Sequence, residues 1–108
     1  MKIRIISGIY GGRNIKAPDS NATHPMSERV RNALFNIVSD EVKGANVLDA
    51  FAGSGAVGLE ALSRGAAHVT FVERDRQASN ALIDNVALLH AEHLATLVHA
   101  TVESWART

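Results

Sequence analysis

Asn46-Val47-Leu48-Asp49-Ala50-Phe51-Ala52-Gly53-Ser54-Gly55-Ala56-Val57-Gly58 is the stretch on which the reading of this chain turns. It opens as a short apolar run interrupted by Asp49 and passes into three closely spaced glycines. Such a run is a strand, and glycines after it let the backbone turn tightly and let a ligand approach it closely. Residues 57–64 then suit a helix, with Gly65 as its C-terminal stop. The β-branched and aromatic stretch 68–72 reads as a buried strand, 76–90 as a helix with Ala78, Leu82, Val86 and Leu89 on one face, and 96–100 as a third strand. Strand, glycine turn, helix, strand, helix, strand is βαβαβ, the half-unit of a doubly wound parallel sheet. The expected fold is therefore α/β and Rossmann-like.

Upstream of that unit, residues 2–17 read as two short strands around the turn signal Gly11-Gly12, and 19–23 as a polar loop. His24-Pro25-Met26-Ser27 looks like the start of a helix, with Ser27 as N-cap and Glu28 in the first turn. Val30, Leu34, Ile37 and Val38, with Ala33, fall on one face and predict a helix over 28–39, turned inward by that face. Lys43-Gly44 ends this part. Two segments result: an N-terminal hairpin and helix over 1–44 and a βαβαβ unit over 45–108.

Gly53-Ser54-Gly55-Ala56-Val57-Gly58 taken literally is GxGxxG, a dinucleotide fingerprint that is weak by itself but stands here between a strand and a helix. Asp49 decides among ligands. It sits four residues before Gly53, at the carboxyl end of the strand, where its charge repels a pyrophosphate and attracts a cation. S-adenosylmethionine presents an ammonium, a sulfonium and a ribose, and no phosphate. Glu73 ends the next strand 24 residues after Asp49 and suits the ribose hydroxyls. A purely structural turn and a surface ion pair between Glu73 and Arg74 are the bland alternatives.

Composition sets the outer limits. The chain has 108 residues, enough for one domain, and is 46% hydrophobic and 20% charged, as globular proteins are. It has no cysteine, which excludes disulfides, thiolate zinc sites and cysteine nucleophiles. Eleven basic and eleven acidic residues balance, which argues against a protein that binds nucleic acid with its whole surface. The charge is uneven, however: seven basic against four acidic residues over 1–44 and four against seven over 45–108, a net of +3 and −3. A basic front joined to an acidic body suits an anion-binding arm, although a solvated face has the same composition. No stretch has the length of a signal-peptide core or a membrane span, so the expected location is cytoplasmic and no membrane partner is expected. His90, His93 and His99 lack a carboxylate at ligand spacing, and no metal site is expected.

With these motifs in view, residues 46–75 resemble the cofactor-binding core of the bacterial ribosomal RNA guanine-N2 methyltransferases that act on the small subunit. The likeness extends upstream through Arg4-Ile5-Ile6-Ser7-Gly8, Gly11-Gly12-Arg13 and the run from Ser27 to Ile37, and covers 3 to about 105. The resemblance implies a class I methyltransferase fold with strand order 3-2-1 in this part, S-adenosylmethionine as cofactor and ribosomal RNA as partner. It implies that Asp49, Gly53 and Gly55 hold the methionine part and Glu73 the ribose, with Ala50, Phe51 and Arg74 among the cofactor-binding residues. Ser27 and Arg29 would lie near the methionine end, and Thr101 stands where the family meets the adenine amino group. Arg4, Arg13, Lys16 and Arg31 would contact RNA phosphates, contacts that position without reading sequence.

The departures matter as much. His24-Pro25-Met26 replaces the family's Arg-Pro-Thr, and Thr101 replaces an Asp or Asn. The family's Asp-Pro-Pro-Tyr or Asp-Pro-Pro-Phe, which grips the target base, is missing, since the two prolines are Pro18 and Pro25. No catalytic residue is therefore assigned. The expectation is the cofactor-binding half of a methyltransferase, with a non-catalytic cofactor- or RNA-binding fragment as the alternative and a nicotinamide-binding fragment disfavoured by Asp49. Without a further strand beside 46–51, that strand is expected to expose an open edge, through which the chain self-associates or takes up a C-terminal half.

Overall fold

The computed structural model describes residues 1–18 and 26–108. The polar loop expected at 19–23 and the His24-Pro25 turn lie outside the described residues. Strands β1 (Lys2–Arg4) and β2 (Asn14–Lys16) pair antiparallel, Ile3 opposite Ile15. Helices α1 (Glu28–Ile37) and α2 (Ser39–Val42) follow. Then come β3 (Asn46–Asp49), α3 (Ala56–Ser63), β4 (His68–Glu73), α4 (Arg76–Leu88), β5 (Ala95–His99) and α5 (Val102–Ala106). The second sheet is parallel with order β3-β4-β5, the expected 3-2-1. Among the described residues, no helix is long and apolar enough to cross a membrane.

β4 is the central strand, and its Val69, Phe71 and Val72 are fully buried, as the apolar run predicts for a strand covered on both faces. α3 lies so close to it that a Cβ on Gly58 would stand 2.2 Å from the Phe71 ring, so the third glycine is set by helix–strand packing. β3 pairs with β4 on one side, and among the described residues no strand covers its other edge. Leu48 on that strand is 47% exposed.

The N-terminal segment and the βαβαβ unit share one apolar core, in which Ile3, Ile5, Ile15 and Phe35 join Leu59, Leu62 and Leu82. Hydrogen bonds extend the union. The link between β1 and β2 is wider than a turn at Gly11-Gly12, because it is drawn down onto α3. Ile9 N–H donates to the Ser63 carbonyl at 2.8 Å, Tyr10 N–H to Ser63 Oγ at 2.9 Å, and Ser63 Oγ to the Ser7 carbonyl.

Two expectations for α1 are corrected. Ser27 does cap it, accepting from Val30 N–H at 3.2 Å. The inward face, however, carries Arg31 and Phe35, with Leu34 and Val38 half-buried, while Val30 and Ile37 are exposed. Arg31, expected on RNA, is 1% exposed and bonded to Glu60 Oε1 at 3.2 Å and to the Arg4 carbonyl. A guanidinium can occupy the inward stripe because Glu60 neutralises it there. Beyond β5 the chain forms α5, with Trp105 half-buried, where the sequence reading stops at a strand.

Candidate functional site

The site assembles at the carboxyl ends of β3, β4 and β5, where ligands of open α/β sheets bind. β3 delivers Asp49, and the chain turns through residues 50–55 into α3. Gly55 caps that helix at φ 100°, a left-handed conformation that a side chain resists. The turn is pinned by both acids. Asp49 Oδ2 accepts from Gly58 N–H at 3.1 Å, in the first turn of α3. Glu73 Oε1 accepts from Gly53 N–H at 2.7 Å, and Oε2 from Asp75 N–H at 2.8 Å. The Glu73–Arg74 ion pair weighed from sequence does not form among the described residues.

Asp49 is half-buried, and burial raises its carboxyl above the ordinary carboxylate range. The Gly58 N–H bond lowers it, the Glu73 charge raises it again, and a bond to the Phe51 backbone offsets part of the rise. The charge of Glu73 disfavours that of Asp49, and the two acids at the end of the sheet make a place for a cation. A phosphate would be repelled there.

Ala50, Phe51, Glu73, Arg74 and Thr101, all singled out from sequence, line one cleft of about 200 Å³ with Val72, Ala100 and Glu103. Phe51 is 85% exposed, at the rim. Thr101 Oγ1 accepts from Ser104 N–H at 3.1 Å as the N-cap of α5, which leaves its hydroxyl proton free to donate. Ser27 does not join them: it lines another hollow with Arg4, Glu28 and Arg31, and Arg29 is exposed on the same helix. A larger hollow of about 540 Å³, lined by Ser7, Lys43, Ser63 and Gly65 among others, contains neither the glycine turn nor the acids. The chemistry therefore points to the smaller one.

Of the basic residues expected to face RNA, Lys16 is exposed and Arg13 Nη2 donates to the Leu88 carbonyl at 3.3 Å. Arg4 is ion-paired with Glu28, both partly exposed. Sequence reasoning missed Glu103, which carries no signal beyond its place in the first turn after Thr101. It also missed Glu60 and Asn85, whose partners lie far off in sequence.

A parallel sheet with an acid at the end of each of two adjacent strands and a glycine turn between strand and helix is the Rossmann-like fold of class I methyltransferases. Residues 3–108 match a family model described as "Conserved hypothetical protein 95", and the chain belongs to that family. It is 51% identical over 90 residues to ribosomal RNA small subunit methyltransferase D of Escherichia coli K12, covering 83% of this chain and 46% of that protein. The protein of the same name from Haemophilus influenzae is 41% identical over 88 residues, covering 82% and 46%. A solved Escherichia coli structure, named only provisionally as the methyltransferase yhhF, is similar at a TM-score of 0.88. Its identity to this chain is 46%, over 97% of this chain and 56% of that one. The chain thus spans about half the length of the curated relatives it matches.

Proposed function

We propose that this chain binds S-adenosylmethionine and supplies the cofactor half of an enzyme that methylates a guanine N2 of small-subunit ribosomal RNA. The observation that carries the reading is the pair Asp49 and Glu73, which hold the two ends of the glycine turn, with Glu73 lining the cleft and Asp49 close enough to feel its charge. The residues fit the group. A cation beside Asp49 compensates the raised carboxyl, and each oxygen of Glu73 can still take a ribose hydroxyl proton besides its backbone N–H. Glu103 adds a second acid to the lining of the cleft and Thr101 a donor.

When bound, S-adenosylmethionine supplies an electrophilic methyl on sulfur. Transfer is a displacement in line with the C–S bond, so the protein's main contribution is alignment. On this reading Asp49, Gly53 and Gly55 orient the methionine part and Glu73 the ribose. Ligand pockets commonly measure roughly 300–1,000 Å³, so a cleft of about 200 Å³ fits a site whose remaining wall is supplied by further chain. The relatives' names support ribosomal RNA as substrate. On this reading Lys16, Arg13 and Arg4 meet its phosphates, and the buried Arg31 is withdrawn from that role.

A competition assay tests the cofactor: S-adenosylhomocysteine should bind and NAD should not displace it. Binding of NAD with no response to S-adenosylhomocysteine would overturn the assignment. The second reading is a part that binds without catalysing, since the match covers only about half of each curated relative. Transfer of a tritiated methyl to unmodified small-subunit RNA by the chain alone, and by the chain with a C-terminal half of a relative, separates the two.

A further inference from the structure

Asn85 lies on α4 with 2% of its surface exposed, and its amide is committed in two directions. Oδ1 accepts from Lys16 N–H at 3.0 Å, and Nδ2 donates to the Lys16 carbonyl at 2.8 Å. The side chain thus pairs with the end of β2 as the peptide of a neighbouring strand would. Its other Nδ2 proton goes to the carbonyl of Ser54, at 2.9 Å. Ser54 is itself buried, between Gly53, whose N–H is held by Glu73, and Gly55 in its left-handed conformation. The glycine turn therefore has two anchors inside the cofactor site, Asp49 and Glu73, and a third that reaches it from the basic arm.

We propose that Asn85 is a positioning residue that couples the arm to the cofactor turn. By fixing the Ser54 carbonyl it sets the orientation of the peptide leading to Gly55, and by holding both backbone groups of Lys16 it makes that orientation depend on where β2 lies. Buried polar groups seldom stay unpaired, so movement at either end is felt at the other rather than absorbed. Coupling of this kind is reciprocal: a ligand that tightens the turn also tightens the arm, and RNA held by the arm raises cofactor affinity. The inference rests on the reading of the cleft as an S-adenosylmethionine site and assigns it a line of communication to the RNA-facing segment.

Amide hydrogen exchange on the full 108-residue chain, with and without saturating S-adenosylhomocysteine, tests it. Ligand raises protection everywhere by global stabilisation, so the reference is Ile5, whose N–H bonds Arg13 within the same arm. Lys16 should gain more protection than Ile5, together with Gly53. Asn85→Asp keeps the size and the acceptor for Lys16 N–H but turns an oxygen toward two carbonyls. It should weaken S-adenosylhomocysteine binding by about tenfold, within the usual range of coupling energies, and abolish the excess gain at Lys16. Equal gains at Lys16 and Ile5 in the wild type overturn the coupling whether or not the variant folds. An Asn85→Asp variant that binds as tightly as wild type, with the Lys16 response intact, overturns it too. Failure of the wild type to bind S-adenosylhomocysteine defeats the cofactor reading and this inference with it. Binding with a silent Lys16 defeats this inference alone.

Discussion

Replacing Glu60 with alanine should remove a third or more of the stability of the protein. The Glu60 carboxylate is fully buried and takes four donors. Oε1 accepts from Ile6 N–H at 2.9 Å and Arg31 Nε at 3.2 Å, and Oε2 from Ser7 N–H at 3.1 Å and Arg64 Nε at 2.9 Å. Alanine would leave a buried guanidinium without its counter-charge, a loss of about 3–5 kcal/mol for a broken buried pair. Two backbone N–H groups would also lose their acceptor, at about 1–3 kcal/mol for each that stays unsatisfied. These costs overlap, since water can reach the Ile6 end once the arm loosens, so we expect about 5 kcal/mol in all. At about 0.05–0.15 kcal/mol per residue, a chain this long has roughly 5–15 kcal/mol to lose. Urea unfolding followed by circular dichroism measures the loss, and exchange of the Ile6 and Ser7 amides shows whether the arm detaches first. Glu60→Gln, which keeps an acceptor but no charge, should fall between wild type and alanine. An alanine variant within about 1 kcal/mol of wild type, at unchanged urea dependence, would refute the claim that this carboxylate holds arm and helices together.

Other outcomes follow from the same geometry. Because Asp49 has a raised carboxyl, its contribution to folding is full below the ordinary value and is lost as pH rises through the folded one. The melting temperature of Asp49→Asn should therefore gain on wild type as pH rises above the ordinary carboxylate value of about 4, while S-adenosylhomocysteine affinity falls by about 1–3 kcal/mol; parallel melting curves would contradict the first half. Gly58→Ala drives a methyl into the Phe71 ring and should cost about 1–3 kcal/mol, read by thermal unfolding. Replacing Arg4, Arg13 and Lys16 together with alanine should flatten the salt dependence of RNA binding by a slope of roughly 0.7–0.9 per lost contact; an unmoved slope would reduce the arm to a solvated face. Since no strand covers the outer edge of the apolar β3 among the described residues, the chain should self-associate at micromolar concentration, and a strictly monomeric sedimentation profile would count against an accessible edge.

Local order was legible in the sequence because it is decided locally. A run of apolar residues, then glycines, then a helical period can fold in few other ways, and Asp49, Glu73, Ala50, Phe51, Arg74 and Thr101 come together because parallel strands bring their carboxyl ends to one side. The Ser27 cap was legible for the same reason, its partner being three residues away. The inward face of α1 was not. The apolar pattern groups Val30, Ala33, Leu34, Ile37 and Val38, whereas the buried stripe is led by Arg31 and Phe35, turned by about 100° on a helix, and hydropathy favours the first grouping because the second is led by an arginine. Only Glu60, 29 residues on in another helix, makes that arginine an acceptable core residue. Asn85 shows the same limit, since its partners lie 69 and 31 residues away. The sequence by itself determined the βαβαβ elements, the parallel pairing of the strands at 46–51 and 68–72 and the acids at their ends. Tertiary structure alone decided which charged and polar side chains are buried, because burial of a charge depends on a partner that no local pattern reveals.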